Sequence, residues 1–459
     1  MNRSQIKDFT KGNIMKQLLV FSLPLFLSNL LQIVYNMVDM VIVGQELGLE
    51  GISGVSVGGD VSAFLTFVAM GFSNAGQVLI ARYIGAGERK KLGKFVGTMS
   101  SFLLLCSVFI SALGLIFRGE ILDLMNTPDA SRDEALAYSV ICMIGLVFIY
   151  GYNIVSAILR GMGDSKHPFI FIGIAAVLNL VLDILFVMGM DMGAGGAALA
   201  TVISQAVSFI CCAVFLIKKR AEFDLEAKIT DFVHWDREML GDLLKLGTPM
   251  AIKTASIQIS KLFVNSWINS YGTDISAFAG IANKISSISN LVSAAMNTSG
   301  STMVGQNIAA GQFDRVKKIL RSLAIITLTV ALAFSVIICI FPDQIFTAFI
   351  DQSNESEADK ILDIGARYVP IAVMLFFGSA MRAIMNALIN GSGNTKINFV
   401  TAILDGIVLR IGLALLFGLA LDMKHYGFWL GDALAGFTPF WIGLVFYFTG
   451  IWKKKKVIK

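Results

Sequence analysis

Four polar side chains recur at helical intervals early in the chain: Asn29, Gln32, Asn36 and Asp39. Turning about 100° per residue, they share one face within roughly 80°, and Leu, Ile, Val and Met fill the remainder. Asn179 and Asp183 stand four apart, and Thr201, Gln205 and Ser208 repeat that kind of spacing. Two carboxylates, an amide oxygen and a hydroxyl make an oxygen-rich set. Such a set suits a hard monovalent cation, or a proton on a carboxylate held in a low dielectric.

These residues sit in segments built for hydrocarbon. The chain has 459 residues, 56% hydrophobic and only 15% charged, with a mean hydropathy of +0.73. A soluble chain carries about 25% charged residues. Apolar runs long enough to span about 30 Å recur from 15–43 to 428–452, six in each half. The expected fold is an all-α integral membrane protein with twelve transmembrane helices. Asp39, Asp183, Lys253, Lys261, Lys284, Arg382, Asp405 and Arg410 fall inside these runs. Facing lipid, they would together cost on the order of 20 kcal/mol, so they must face protein or a wet cavity.

The chain is also written twice. Pro24 finds its match at Pro249, IARYIGAGERKKLGK (80–94) at VGQNIAAGQFDRVKK (304–318), and LRGMGDSK (159–166) at LINGSGNTK (388–396). The reading is two six-helix lobes, 1–217 and 243–459, joined by a polar linker at 218–242 that contains His234. Lysine and arginine concentrate in the N-terminal stretch, at 82–94, 160–166, 218–245 and 315–321, and after Trp452. Only Arg118, Arg132, Lys360, Arg367 and Lys424 would occupy the opposite face. That bias predicts cytoplasmic termini. An even number of spans per half makes the repeat parallel, with a pseudo-two-fold axis along the membrane normal, an arrangement found in transporters. Pro24 and Pro249 each remove a backbone donor and allow a kink.

The chemistry of the halves differs. The second carries Lys253, Lys261, Lys284, Arg382 and Arg410 against Asp405. Pairing of Asp405 with Arg382 or Lys253 leaves Lys261, Lys284 and Arg410 without a partner, which predicts a substrate with a negative or zwitterionic group. The five cysteines show no metal-ligand spacing, and neither a hydrolytic triad nor a phosphate-binding loop appears. An enzyme is therefore not expected, and a net charge of +5 does not point to nucleic acid.

The paired prolines, the GAGE and AAGQ loops and the YNMVDMVIVG segment together resemble the multidrug and toxic compound extrusion (MATE) family, within the multidrug/oligosaccharidyl-lipid/polysaccharide exporter superfamily. The resemblance runs over nearly the whole chain. It implies a V-shaped carrier of the cell membrane that alternates between outward-open and inward-open states. Na+ or H+ entering would drive export of small organic compounds, with no other cofactor and as a monomer. It maps the cation site onto Asp39, Asn179, Asp183 and Thr201. It maps the neighbouring substrate cavity onto Gln32, Tyr35, Tyr138 and Asn153, with Asn36 on the same face and Lys261, Lys284 and Arg410 as basic candidates from the other lobe. Where another branch of the family has acidic residues in the second lobe, this chain has Lys253, Lys261 and Arg382, so a second cation site there is not expected. The alternative is a lipid-linked oligosaccharide flippase of the same superfamily.

Overall fold

The structure, a computed structural model, describes residues 5–125, 127–225, 229–233, 235–349 and 355–453. Arg3, Lys228, His234 and the basic residues after 453, used above in the charge pattern, lie outside them. Among the described residues every regular element is helical. The long helices are α1 (Ile14–Gly48), α2 (Glu50–Gly85), α3 (Leu92–Ile116), α4 (Arg132–Ile144), α5 (Leu146–Gly161), α6 (Lys166–Gly189), α7 (Gly193–Lys218), α8 (Arg237–Asn269), α9 (Thr273–Ala309), α10 (Phe313–Ile340), α11 (Lys360–Ser392), α12 (Thr395–Ala420) and α13 (Lys424–Thr449).

Among the described residues nine helices are long and apolar enough to cross a membrane, and α4 with α5, bent by 52°, forms a tenth span. The polar helices α8 and α9, 33 and 37 residues long, complete the twelve passes that the sequence leads one to expect. Large apolar side chains such as Val41, Phe64, Ile116 and Phe448 point outward. In water such a surface would aggregate, whereas in lipid it is the proper coat.

The duplicated glycines serve one backbone need. Gly87 and Gly311 end equivalent helices with φ of 77° and 73°, and Gly163 and Gly393 do so at 86° and 66°. Only glycine takes this left-handed cap without strain.

By their internal contacts the residues form two packing units. The first holds Leu23–Ala251 and the few residues before Phe9. The second holds Phe9–Ser22 and the chain from Ile252 onward. These units depart from the sequence repeat at two places. The opening turns of α1, up to Ser22, belong to the second unit, and α8 up to Ala251 belongs to the first. The change of unit inside each of these two helices falls within two residues of a helix-interior proline, Pro24 or Pro249. The stretch 218–242 lies within the first unit and includes the short helix Ile229–Val233.

In the first unit a small core of Ile42, Val43, Val55, Tyr138, Val187 and Ala194 draws α1, α2, α4, α6 and α7 together. Two glycines permit that approach. A Cβ on Gly58 would lie 2.6 Å from Tyr138, and one on Gly145, at the α4–α5 bend, 2.4 Å from Val202. Close contact at small residues is how helices gain packing energy without a hydrophobic drive. The second unit has a larger aromatic core, with Phe278 packed 5.3 Å from both Phe346 and Tyr368 and 5.4 Å from Trp429, centroid to centroid.

Candidate functional site

The first unit brings its sequence-predicted oxygens together. Asp39 leaves the inner face of α1 and is 6% exposed. Asn179 and Asp183 on α6 are 2% and 0% exposed. The carboxyl groups of Asp39 and Asp183 lie within side-chain interaction distance of each other. The Asn179 amide Nδ2 reaches Thr201 Oγ1 on α7 at 3.5 Å. Asp183 is the last residue of regular α-helix in α6; the next six, Ile184–Gly189, widen into a π-turn. Such a turn loosens the backbone ladder and is frequent at functional positions.

The oxygens in this cluster are short of donors. Among the described residues no group donates to Asp39 Oδ1, Asn179 Oδ1, either carboxylate oxygen of Asp183, or Gln205 Oε1, and all are buried. A buried acceptor without a donor costs roughly 1–3 kcal/mol, and more if charged. Two adjacent carboxylates add mutual repulsion. A small cation, or protons on the carboxylates, would relieve both costs, so the donor set fits the coupling ion expected from sequence. Among the described residues no group of three or more His, Cys, Asp or Glu is arranged to hold a metal ion.

Beside this cluster lies a cavity of about 530 Å³. Its wall includes Gln32, Tyr35, Asn36, Asp39, Tyr138, Asn153 and Thr201, so the predicted first-lobe residues meet in one place except Asn179 and Asp183, which lie behind the wall. Tyr35 and Gln205, and Tyr138 and Thr201, meet in that same wall. Asn153 spends its amide on the Ile149 carbonyl at 2.8 Å. Phe67, Met40, Met70 and Tyr152 supply apolar wall. Asp60 on α2 is a second cavity carboxylate that the spacing argument missed. It follows Gly58 and Gly59 near the start of its apolar run, where a charge reads as a helix end.

The second unit corrects one expectation. Arg410 has partners: Nη2 meets Asp405 Oδ1 at 3.1 Å, and Nη1 is bonded to Asp432 Oδ1. Asp432 lies near the start of the last apolar run. Asp405 thus pairs chiefly with Arg410, while Arg382 stands 4.0 Å away and also reaches the Gly436 carbonyl at 3.4 Å. Lys253 donates to Asn386 Oδ1 at 2.6 Å. Lys261 is half-buried in the field of Asp432 and Arg410. Lys284 is exposed, 5.8 Å above the Phe349 ring. Of the three basic candidates Lys261, Lys284 and Arg410, Lys261 lies within the field of Arg410, whose guanidinium is spent on two carboxylates.

A duplicated helical bundle in lipid, with buried carboxylates beside a polar cavity, defines a membrane transporter. The MatE family profile matches residues 24–185 and 249–416, and the chain belongs to that family. It is 28% identical to the probable multidrug resistance protein YoeA of Bacillus subtilis, over 98% of this chain and 96% of that one. Toward YpnP of the same organism, also named a probable multidrug resistance protein, identity is 29% over 98% of each. In fold it is similar to a multidrug resistance MATE family transporter of the MOP superfamily solved in an outward-facing conformation, with a TM-score of 0.88, 22% identity, and 99% and 100% of the two chains covered. A MOP superfamily transporter from Pyrococcus furiosus, described as having a binding pocket of reverse polarity, aligns with the same TM-score and identity over the full length of both chains. Membership in this family makes the chain a transporter and not an enzyme.

Proposed function

We propose that this protein exports small, drug-like organic compounds in exchange for a monovalent cation, Na+ or H+, moving inward by alternating access. The supporting observation is the Asp39–Asp183 pair, backed by Asn179 and Thr201, whose buried oxygens lack donors beside a polar cavity. Ionised, the pair binds the external cation. Neutralised, it can be buried, α1 can bend near Pro24, and the cavity contracts and releases substrate. Exchange follows if cation and substrate favour different states. The names of the Bacillus relatives support drug-like substrates and do not favour the flippase alternative. The working setting is the cell membrane with both termini cytoplasmic, as the loop charges suggest. The protein works as a monomer and needs no cofactor beyond the transported ion.

Substrate charge is read from both interiors. The first-unit cavity has Asp39 and Asp60 and neither Lys, Arg nor His in its wall. The second unit sets Lys253, Lys261, Arg382 and Arg410 against Asp405 and Asp432. The sequence leads to a negative or zwitterionic group because Arg410 looks unpartnered there. With Arg410 paired to Asp405 and Asp432, the carboxylates of the first-unit cavity favour substrates that carry a positive group, zwitterions included.

The test is efflux from proteoliposomes under imposed Na+ or pH gradients. Wild type transports under at least one gradient. Asp39→Asn inserts and folds but loses gradient-driven efflux, and full efflux by that variant would falsify the coupling role.

A further inference from the structure

We infer that Asp60 is the residue that recognises the positive group of the substrate, separately from the Asp39–Asp183 pair that takes the coupling ion. The inference rests on the export reading above and assigns a charge-selecting side chain to the same cavity.

Position carries the first part of the argument. The chain reverses between α1 and α2 at Gly48, where φ is 62°. Asp39 lies nine residues before that turn and Asp60 twelve after it. At about 1.5 Å per residue they stand roughly 14 and 18 Å below it. Both therefore reach the cavity at comparable depth from different helices, and both line it.

Their surroundings separate them. Asp39 is almost fully buried and turned toward Asp183. Asp60 is exposed to the cavity and, among the described residues, makes no ion pair. Gly59 and Asp60 line the cavity together, and a Cβ on Gly59 would meet nothing within 4 Å, so open space adjoins this stretch of the wall. A bare carboxylate in that stretch, with the Phe67 ring and the Met70 thioether in the same wall, suits a bulky cation whose charge sits on or near an aromatic body. A carboxylate meant for the coupling ion would instead be enclosed with further oxygens, as Asp183 is.

Equilibrium binding to the purified full-length protein in detergent tests this, using ethidium and an uncharged phenanthridine of similar size. Asp60→Asn weakens ethidium binding at least tenfold, changes phenanthridine binding less than twofold, and Asp60→Glu restores ethidium. The inference is overturned if Asp60→Asn binds ethidium like wild type, if both ligands weaken together without rescue by Glu, or if wild type itself does not prefer ethidium. Gradient-driven efflux read in parallel distinguishes the two ideas. Asp60-dependent binding without coupled efflux sinks the exchange reading and leaves Asp60 standing. Coupled efflux with an indifferent Asp60 does the reverse.

Discussion

The guanidinium of Arg410 joins Asp405 on its own helix to Asp432 on the next, and is only 1% exposed. One cation thereby neutralises two carboxylates inside the second unit. Removing it leaves both with weaker, more distant partners. Loss of one member of a buried pair costs roughly 3–5 kcal/mol. Arg410→Ala should lower the thermal midpoint in detergent by several degrees. Replacing all three with apolar residues (Arg410→Met, Asp405→Leu, Asp432→Leu) should recover most of that loss. An unchanged midpoint for Arg410→Ala would count against the network.

Asp183→Asn and Thr201→Val separate the two ions. Asn at 183 removes a charge that either ion needs, so gradient-driven efflux should stop. Val at 201 removes only a neutral oxygen. It should raise the Na+ concentration for half-maximal transport on the order of tenfold, about 1.4 kcal/mol, if Na+ is the coupling ion. Transport driven by a pH gradient should hardly change. Efflux measured in sodium-free and sodium-containing buffers decides between them.

Pro24 lies mid-helix and lacks an N–H, and its own carbonyl accepts the Ser28 hydroxyl at 2.8 Å. Pro24→Ala should restore a donor and stiffen α1. Thermal stability should hold or rise while coupled efflux falls several-fold. A variant with unaltered turnover would make the proline a matter of static shape.

Asp236 caps α8, its Oδ1 accepting from Glu238 N at 2.9 Å and Met239 N at 3.0 Å, while Oδ2 pairs with Lys94 at 2.8 Å. The Lys94 ammonium, with the two backbone donors, holds its pKa below the usual carboxylate value. A depressed pKa gives stability that is present above the unfolded value of about 3.9 and lost as pH falls through the folded one. Asp236→Ala should cost about 1 kcal/mol at neutral pH. The gap from wild type should close below about pH 4, as denaturation curves across pH would show.

Much of this was legible in the sequence because periodicity and hydropathy report local facts. Asn29, Gln32, Asn36 and Asp39 must share a helical face whatever surrounds them. The grouping of Asp39 with Asp183 followed from polarity in a setting where polarity is costly. Partners across helices were not legible. Asp432 lies in an ordinary LGDALAG stretch, and nothing local says that Arg410 reaches it. Asp60 was hidden in the same way, since a charge near a helix end looks solvated until neighbouring helices enclose it. The exchange of helix beginnings between units left no trace in composition, because apolar surface does not name its partner.

That exchange bears on ancestry. Phe9–Ser22 is bound into the second unit, where Asn307 and Arg315 hold the Phe9 carbonyl at 3.1 and 2.8 Å. The first part of α8 is bound into the first unit in return. A chain cut at 218–242 would give two fragments, each lacking the opening helical segment that finishes its own bundle and carrying the one that finishes the other. An undivided ancestor of half this length that placed its arm in the same way would have traded it with a second copy. Fusion of the two genes would then have made a swapped dimer permanent within one chain.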